Sequence, residues 1–188
     1  MTGLVVPVVV EGWQHACCGD AVAVGARVSW RLRLLPASWA GETVDLPVAI
    51  GPVTPAALEE WREQGERDDT GTPLLARAPG LVAFVADASL LDGGRARGAL
   101  HEDRHTGVPW DVPSTTGTVE RIRLVTRGHR RVGRRELVPV AGTEELVDVD
   151  PAPRHLPEHL EPTGVELWPQ TSELLVDLRL DPEDLVRV

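Results

Sequence analysis

A mainly β fold, in small barrel-like antiparallel sheets of the SH3-like or OB-like kind with one short helix, is what this 188-residue sequence predicts. Three observations carry that expectation. Valine is abundant and turn residues recur about every ten positions, the spacing of short strands in sandwiches and barrels. Several stretches alternate apolar and polar residues with the two-residue period of a half-buried strand. Only one stretch carries both the start and the stop signals of a helix.

Residues 5–10 are a continuous apolar run interrupted by Pro7. Proline donates nothing to a ladder, so this strand is expected at an edge or at a bulge. Residues 12–20 are too polar and too broken to predict regular structure. From 21 to 34 the alternation is clean: Val22 and Val24 precede a turn at Gly25, then Val28, Trp30, Leu32 and Leu34 share one face, and Ser29, Arg31 and Arg33 the other. Residues 42–53 read as a further strand. Thr54 then supplies an N-cap, Pro55 the first helical position and Gly65 a stop, with Ala57, Leu58 and Trp61 as the apolar stripe. Residues 66–73 are a charged loop, and 81–86 a short strand buried on both faces. Residues 119–126 alternate again, and 134–140 pair back on them as a hairpin across 128–133. A last strand at 173–180 puts Leu174, Val176, Leu178 and Leu180 on one face. The sum is seven or eight strands and one helix.

The chain is expected to form one domain over 1–188, with 150–163 a proline-rich surface crossover. The alternative is two fused small β-barrels, about 1–66 and 74–188. A chain of this length buries roughly 70% of its unfolded surface, so it needs neither metal nor disulfide merely to fold.

Composition excludes several classes. With 42% hydrophobic and 26% charged residues the chain is neither disordered nor built for a bilayer. A net charge of −10 argues against nucleic acid and against anionic membranes. Lys, Asn and Tyr are absent, Ile50 and Ile122 are the only isoleucines, and Phe84 the only phenylalanine. That bias is the mark of a GC-rich genome, so the arginines need no explanation by phosphate binding. The apolar start is short and lacks a basic leader, and the two cysteines, Cys17 and Cys18, are adjacent. A cytoplasmic protein is expected.

The densest polar cluster is Trp13-Gln14-His15-Ala16-Cys17-Cys18-Gly19-Asp20. Thiolate and imidazole are zinc's preferred ligands, so His15, Cys17 and Cys18, with His105 from the segment His101-Glu102-Asp103-Arg104-His105, are the candidate metal set. Adjacent cysteines in an extended chain point to opposite faces, which weakens it. The structural reading is a tight turn with one cysteine acting as a small hydrophobe. A vicinal dithiol switching to a strained disulfide is a third. The 101–105 segment, between Gly98 and Gly107, reads as a polar loop whose carboxylates and imidazoles would also suit acid–base work. Ser114, Thr115, Thr116 and Thr118 suit turn chemistry better than a nucleophile. Arg127-Gly128-His129-Arg130-Arg131-Val132-Gly133-Arg134-Arg135 is the one basic block; it suits RNA or an acidic partner, but more simply a solvated loop. Trp13 and Trp110 adjoin the two polar clusters and would wall a pocket between them.

The string from Val8 through Glu11-Gly12-Trp13 to Cys17-Cys18-Gly19, followed by Val24-Gly25 and Val28-Ser29-Trp30, resembles the opening of an uncharacterised protein family of GC-rich actinobacteria. Leu100-His101-Glu102-Asp103-Arg104-His105-Thr106-Gly107-Val108-Pro109 and Thr116-Gly117-Thr118-Val119 resemble its later blocks. There the middle block ends in two adjacent histidines, whereas here Arg104 takes the first place. The resemblance implies a bacterial protein and brings no activity or cofactor.

The expected function is a non-catalytic binding or accessory protein. Its polar site joins the 13–20 turn to the 101–105 loop through Trp13, His15, Cys17, Cys18, Glu102, Asp103 and His105. A zinc-dependent enzyme is the alternative, and an RNA-associated barrel the third. No cofactor is expected in the leading reading.

Overall fold

A computed structural model describes residues 3–18, 21–63, 71–105, 107–132, 136–157 and 167–181. Among them thirteen strands join one sheet. In chain order these are β1 (Val5–Glu11), β2 (Arg27–Trp30), β3 (Leu32–Leu35), β4 (Thr43–Pro47), β5 (Ala49–Pro52), β6 (Leu74–Ala78), β7 (Leu81–Val85), β8 (Leu91–Asp92), β9 (Arg95–Glu102), β10 (Thr115–Arg131), β11 (Leu137–Pro139), β12 (Glu145–Asp148) and β13 (Leu167–Leu180). Two α-helices, α1 (Gly12–Cys18) and α2 (Pro55–Glu63), complete the frame.

The main path runs β11-β10-β13-β1-β9-β3-β7-β6-β5, with β12 and β2 beside β10, and β4 and β8 beside β9. Its two ends, β11 and β5, do not meet. The sheet is therefore open, neither closed nor curled, and the barrel predicted from the sequence is not formed. The physical reason lies in β7. Leu81–Val85 is buried on both faces, as expected, but the second face is covered by α2 and not by closure of the sheet. Ala83 and Val85 join the larger core, while Val82 and Phe84 meet Ala57 and Trp61 of α2. Strand number predicts a barrel only when the last strand returns to the first.

The larger core collects one side of the alternation in each long strand. Val6, Val8 and Val10 of β1, Trp30 of β2, Leu32 and Leu34 of β3, and Leu174, Val176, Leu178 and Leu180 of β13 are all buried. β10 and β13 pair antiparallel from Gly117↔Leu180 to Arg130↔Leu167, with register shifts after Val119 and Val125.

Several elements differ from expectation. β1 is an interior strand despite Pro7, because its parallel ladder to β9 covers only Val8 and Val9 and leaves Pro7 outside it. The turn expected at Gly25 is present, but the strand after it is in fact β2 and β3, broken at Arg31, where pairing passes from β10 to β9 and β7. Residues 42–53 are two strands, β4 on β9 and β5 on β6. The helix begins as predicted: Thr54 Oγ1 accepts from the Ala57 amide at 3.1 Å; its stop at Gly65 lies outside the described residues, as does most of the 66–73 loop. The hairpin onto β10 exists, but β10 runs on to Arg131 and β11 pairs only His129–Arg131. The hydroxyl run belongs to β10 from Thr115 on, and Thr115 Oγ1 is bonded to both the amide and the carbonyl of Val82. The 150–163 crossover, described to residue 157, is not simply a surface strap. Ala152 is buried and its amide donates to the Val22 carbonyl at 2.8 Å.

Candidate functional site

The segment expected to be an irregular turn is helix α1. It leaves β1 directly and packs against β13, and Gly12 allows this: a Cβ there would run into the Leu156 side chain and the Ser172 carbonyl. The helix turns three polar side chains toward different neighbours. Gln14 is buried, and its Oε1 accepts from the Arg104 amide at 3.1 Å. The Trp13 ring lies on the His105 ring, with centroids 4.9 Å apart and planes within 18°. Trp13 Nε1 also donates to Glu11. His15 turns away, its Nε2 meeting the Pro153 carbonyl at 3.1 Å. Burial holds the His15 pKa below its ordinary value.

The 101–105 segment is only partly a loop. His101 and Glu102 are the last residues of β9, held between β1 and β3, and the turn proper starts at Asp103. Asp103 Oδ1 accepts from the His105 amide at 3.1 Å and from Gly107 at 3.3 Å, so this side chain shapes the turn. Glu102 is 1% exposed. One of its oxygens takes the Arg104 guanidinium, and the other, Oε2, has no hydrogen-bond partner. Burial pushes its pKa up, against the pull of Arg104.

Glu102, Asp103 and Arg104 form one wall of a cavity of about 540 Å³, within the range of small-molecule sites. Arg27, Ser29 and Trp30 of β2 also line it, as do Arg31 and Trp110. Arg31 lies over the Trp110 ring, 3.7 Å from its centroid. Trp110 is exposed, and its amide is bound by the Glu60 carboxylate at 2.9 and 3.1 Å. Burial lowers the Arg31 pKa, and Asp103, Glu60 and Glu102 offset this.

A second polar cluster lies under Trp39. Arg127, 8% exposed, reaches Glu173 at 2.7 Å and Glu42 at 3.5 Å. Glu42, itself buried, accepts from the Ser38 hydroxyl at 2.9 Å and the Trp39 amide at 3.3 Å. His101 faces this group: burial depresses its pKa most, and the nearby Glu42 and Glu11 raise it while Arg33 and Arg127 lower it. Burial raises the Glu173 pKa.

Of the residues singled out in the sequence, the structure thus brings Trp13 to His105 and Gln14 to Arg104, and puts Glu102 and Asp103 on the cavity wall. His15 belongs to the contact with Pro153. Cys17 is exposed; the Cys18 side chain, Gly19 and Asp20 lie outside the described residues. Among the described residues no group of three or more His, Cys, Asp or Glu is arranged to hold a metal ion. The basic block is divided: Arg127 is buried with Glu42 and Glu173, Arg131 lies over Trp168 at 4.9 Å, and residues 133–135 are outside the described set. No helix among the described residues is long and apolar enough to cross a membrane. Sequence reasoning missed Arg31, whose only signal was its place in the alternation, and Glu42, which gave none.

Fold and site define an open, mostly antiparallel β-sheet protein with a charged cavity where β2 meets the end of β9. The chain belongs to the family of unknown function DUF6578, whose model matches residues 4–179. No curated protein and no solved structure matches it.

Proposed function

We propose that this chain is a non-catalytic binding or accessory protein that takes a small polar molecule in the cavity between β2 and the 102–104 wall. One observation carries the reading: α1 holds that wall from behind, through Gln14 on the Arg104 amide and Trp13 on His105, beside a cavity of ligand size. A wall fixed by a buried amide side chain is preorganised, which lowers the ordering cost of binding. The reading requires no cofactor. The composition supports a cytoplasmic protein of a GC-rich genome, the resemblance of its opening motif supports an actinobacterial one, and the continuous sheet supports one domain.

A screen of small polar molecules of mixed charge, read by the indole N–H signals of Trp30 and Trp110, tests it. Binders are expected to move these two signals in the native protein and to lose that effect in Arg31→Ala. A library that leaves both signals unmoved would overturn the reading.

A further inference from the structure

The charges of the cavity narrow the class of molecule it takes. Three cations and two anions line it: Arg27, Arg31, Arg104, Glu102 and Asp103. Most of them are already engaged. Arg27 pairs with Asp181, Arg104 with Glu102, and Asp103 accepts two amides of its own turn. Two capacities remain. Glu102 Oε2 is a buried carboxylate oxygen with no donor, on a side chain almost wholly out of water. Such an atom forfeits its hydration without replacement, and a donor brought to it recovers that loss. Arg31 is a part-buried guanidinium whose contacts among the described residues are the Val108 carbonyl at 3.5 Å and the Trp110 face. Neither is an anion, and Asp103, Glu60 and Glu102 act on it only through their charge. Its planar fork is suited to a carboxylate held by two hydrogen bonds.

Arg31, at the break between β2 and β3, lies beside the end of β9. The Asp103 amide donates to the Arg31 carbonyl at 3.0 Å, and Leu32 is the cross-strand partner of Glu102. An acceptor with no donor and a guanidinium with no hydrogen-bonded anion among the described residues therefore line one cavity.

We infer that the cavity binds a small zwitterion of the amino-acid class, its ammonium donating to Glu102 Oε2 and its carboxylate held by Arg31. This rests on the cavity being a ligand site. Neither charge alone suffices: an anion without an ammonium leaves Glu102 Oε2 without a donor and adds a carboxylate near it, and a cation without a carboxylate leaves Arg31 as it is. Ser29 and Ser114 on the lining would face the remainder of the molecule.

The test is a titration of the full chain with each of the twenty common L-amino acids, at concentrations up to about ten times a millimolar Kd, read by the Trp30 and Trp110 indole signals. Every binder is repeated as its N-acetyl derivative, which lacks the ammonium, and as its amide, which lacks the carboxylate. At least one amino acid is expected to bind, with both derivatives weaker by about tenfold or more. These changes are made on the ligand, so they do not depend on a Glu102 or Arg31 variant folding. A derivative that binds as well as its parent overturns the zwitterion while leaving the cavity a ligand site. So does silence from all twenty amino acids if other polar molecules move the same indoles. If nothing moves them, both the inference and the binding reading fail.

Discussion

At the scale of single residues, the imidazoles of His15 and His101 make the clearest demand on the fold. Burial is the largest influence on each and lowers its pKa. Both are therefore neutral in the folded chain at a pH where the unfolded chain has begun to protonate them. A group with a depressed folded pKa contributes stability that is full above its unfolded value, about 6.5, and is lost as pH falls through its folded value. Glu102 and Glu173 act with the opposite sign. Burial raises both, so they favour folding at pH below about 4.5 and that contribution fades as pH rises. The histidine contribution to the melting temperature is thus expected to fall as pH is lowered from neutrality through about 6.5, while the two carboxyls act in the opposite direction. His15→Gln and His101→Gln are each expected to flatten this slope, whatever they do to the absolute stability. Profiles parallel to that of the native protein would show that neither imidazole carries the effect.

Among the elements, α1 decides where the candidate site is. It is a short helix in a sequence that offers no helical periodicity, and its seven residues are too few to be stable alone. Tertiary contacts hold it: Gln14 to the Arg104 amide, His15 to the Pro153 carbonyl, and the close approach at Gly12. A methyl at Gly12 would meet the Ser172 carbonyl at 2.8 Å, as well as Leu156. Leu156 is a side chain that can turn aside, whereas the carbonyl is backbone of β13. Gly12→Ala is expected to destabilise the chain by about 1–3 kcal/mol in denaturant unfolding, the range of an overpacked contact. Leu156→Ala in the same chain is expected to restore only part of it. Full restoration would place the strain on the side chain and not on the strand.

Helix α2 shows the opposite case. Its cap, its first proline and its stripe were all legible, because each depends on neighbours within a turn. Residues 42–53 were not, since nothing local separates one long strand from two short ones that pair with β9 and β6. The same limit hid β9. His101 and Glu102 look like loop residues, yet they lie in the interior of the sheet, where their partners from β1 and β3 are about 90 and 70 positions away along the chain.

For the whole molecule, an open sheet leaves strand edges that a closed barrel would not have. β11 is one such edge. The Val140 amide donates to the Gly128 carbonyl, which makes the next pair, His129↔Pro139, a non-hydrogen-bonded one. The Pro139 nitrogen therefore faces away from β10, toward the open edge, where a proline removes the donor another chain would use. Its neighbours Leu137 and Val138 are both exposed. Pro139→Thr is expected to keep the fold and to give concentration-dependent association in size-exclusion chromatography with light scattering. A variant that stays at the mass of the native protein at every concentration would mean the edge is blunted by something else.

The sequence by itself determined the buried face of β3 and β13, with Leu32, Leu34, Leu174, Val176, Leu178 and Leu180 in the core, and where α2 begins. Those properties follow from side-chain period and from capping chemistry, which act over a few residues. It also marked Trp13, Glu102, Asp103 and His105 as polar or aromatic residues with no place in an apolar core. Only the tertiary structure decided that the sheet stays open, that α1 is a helix, and that Arg31 and Glu102 share a cavity. The reason is common to all three. Each is fixed by contacts between segments far apart in the chain, and a chain's local pattern does not say which strand will become the neighbour of which.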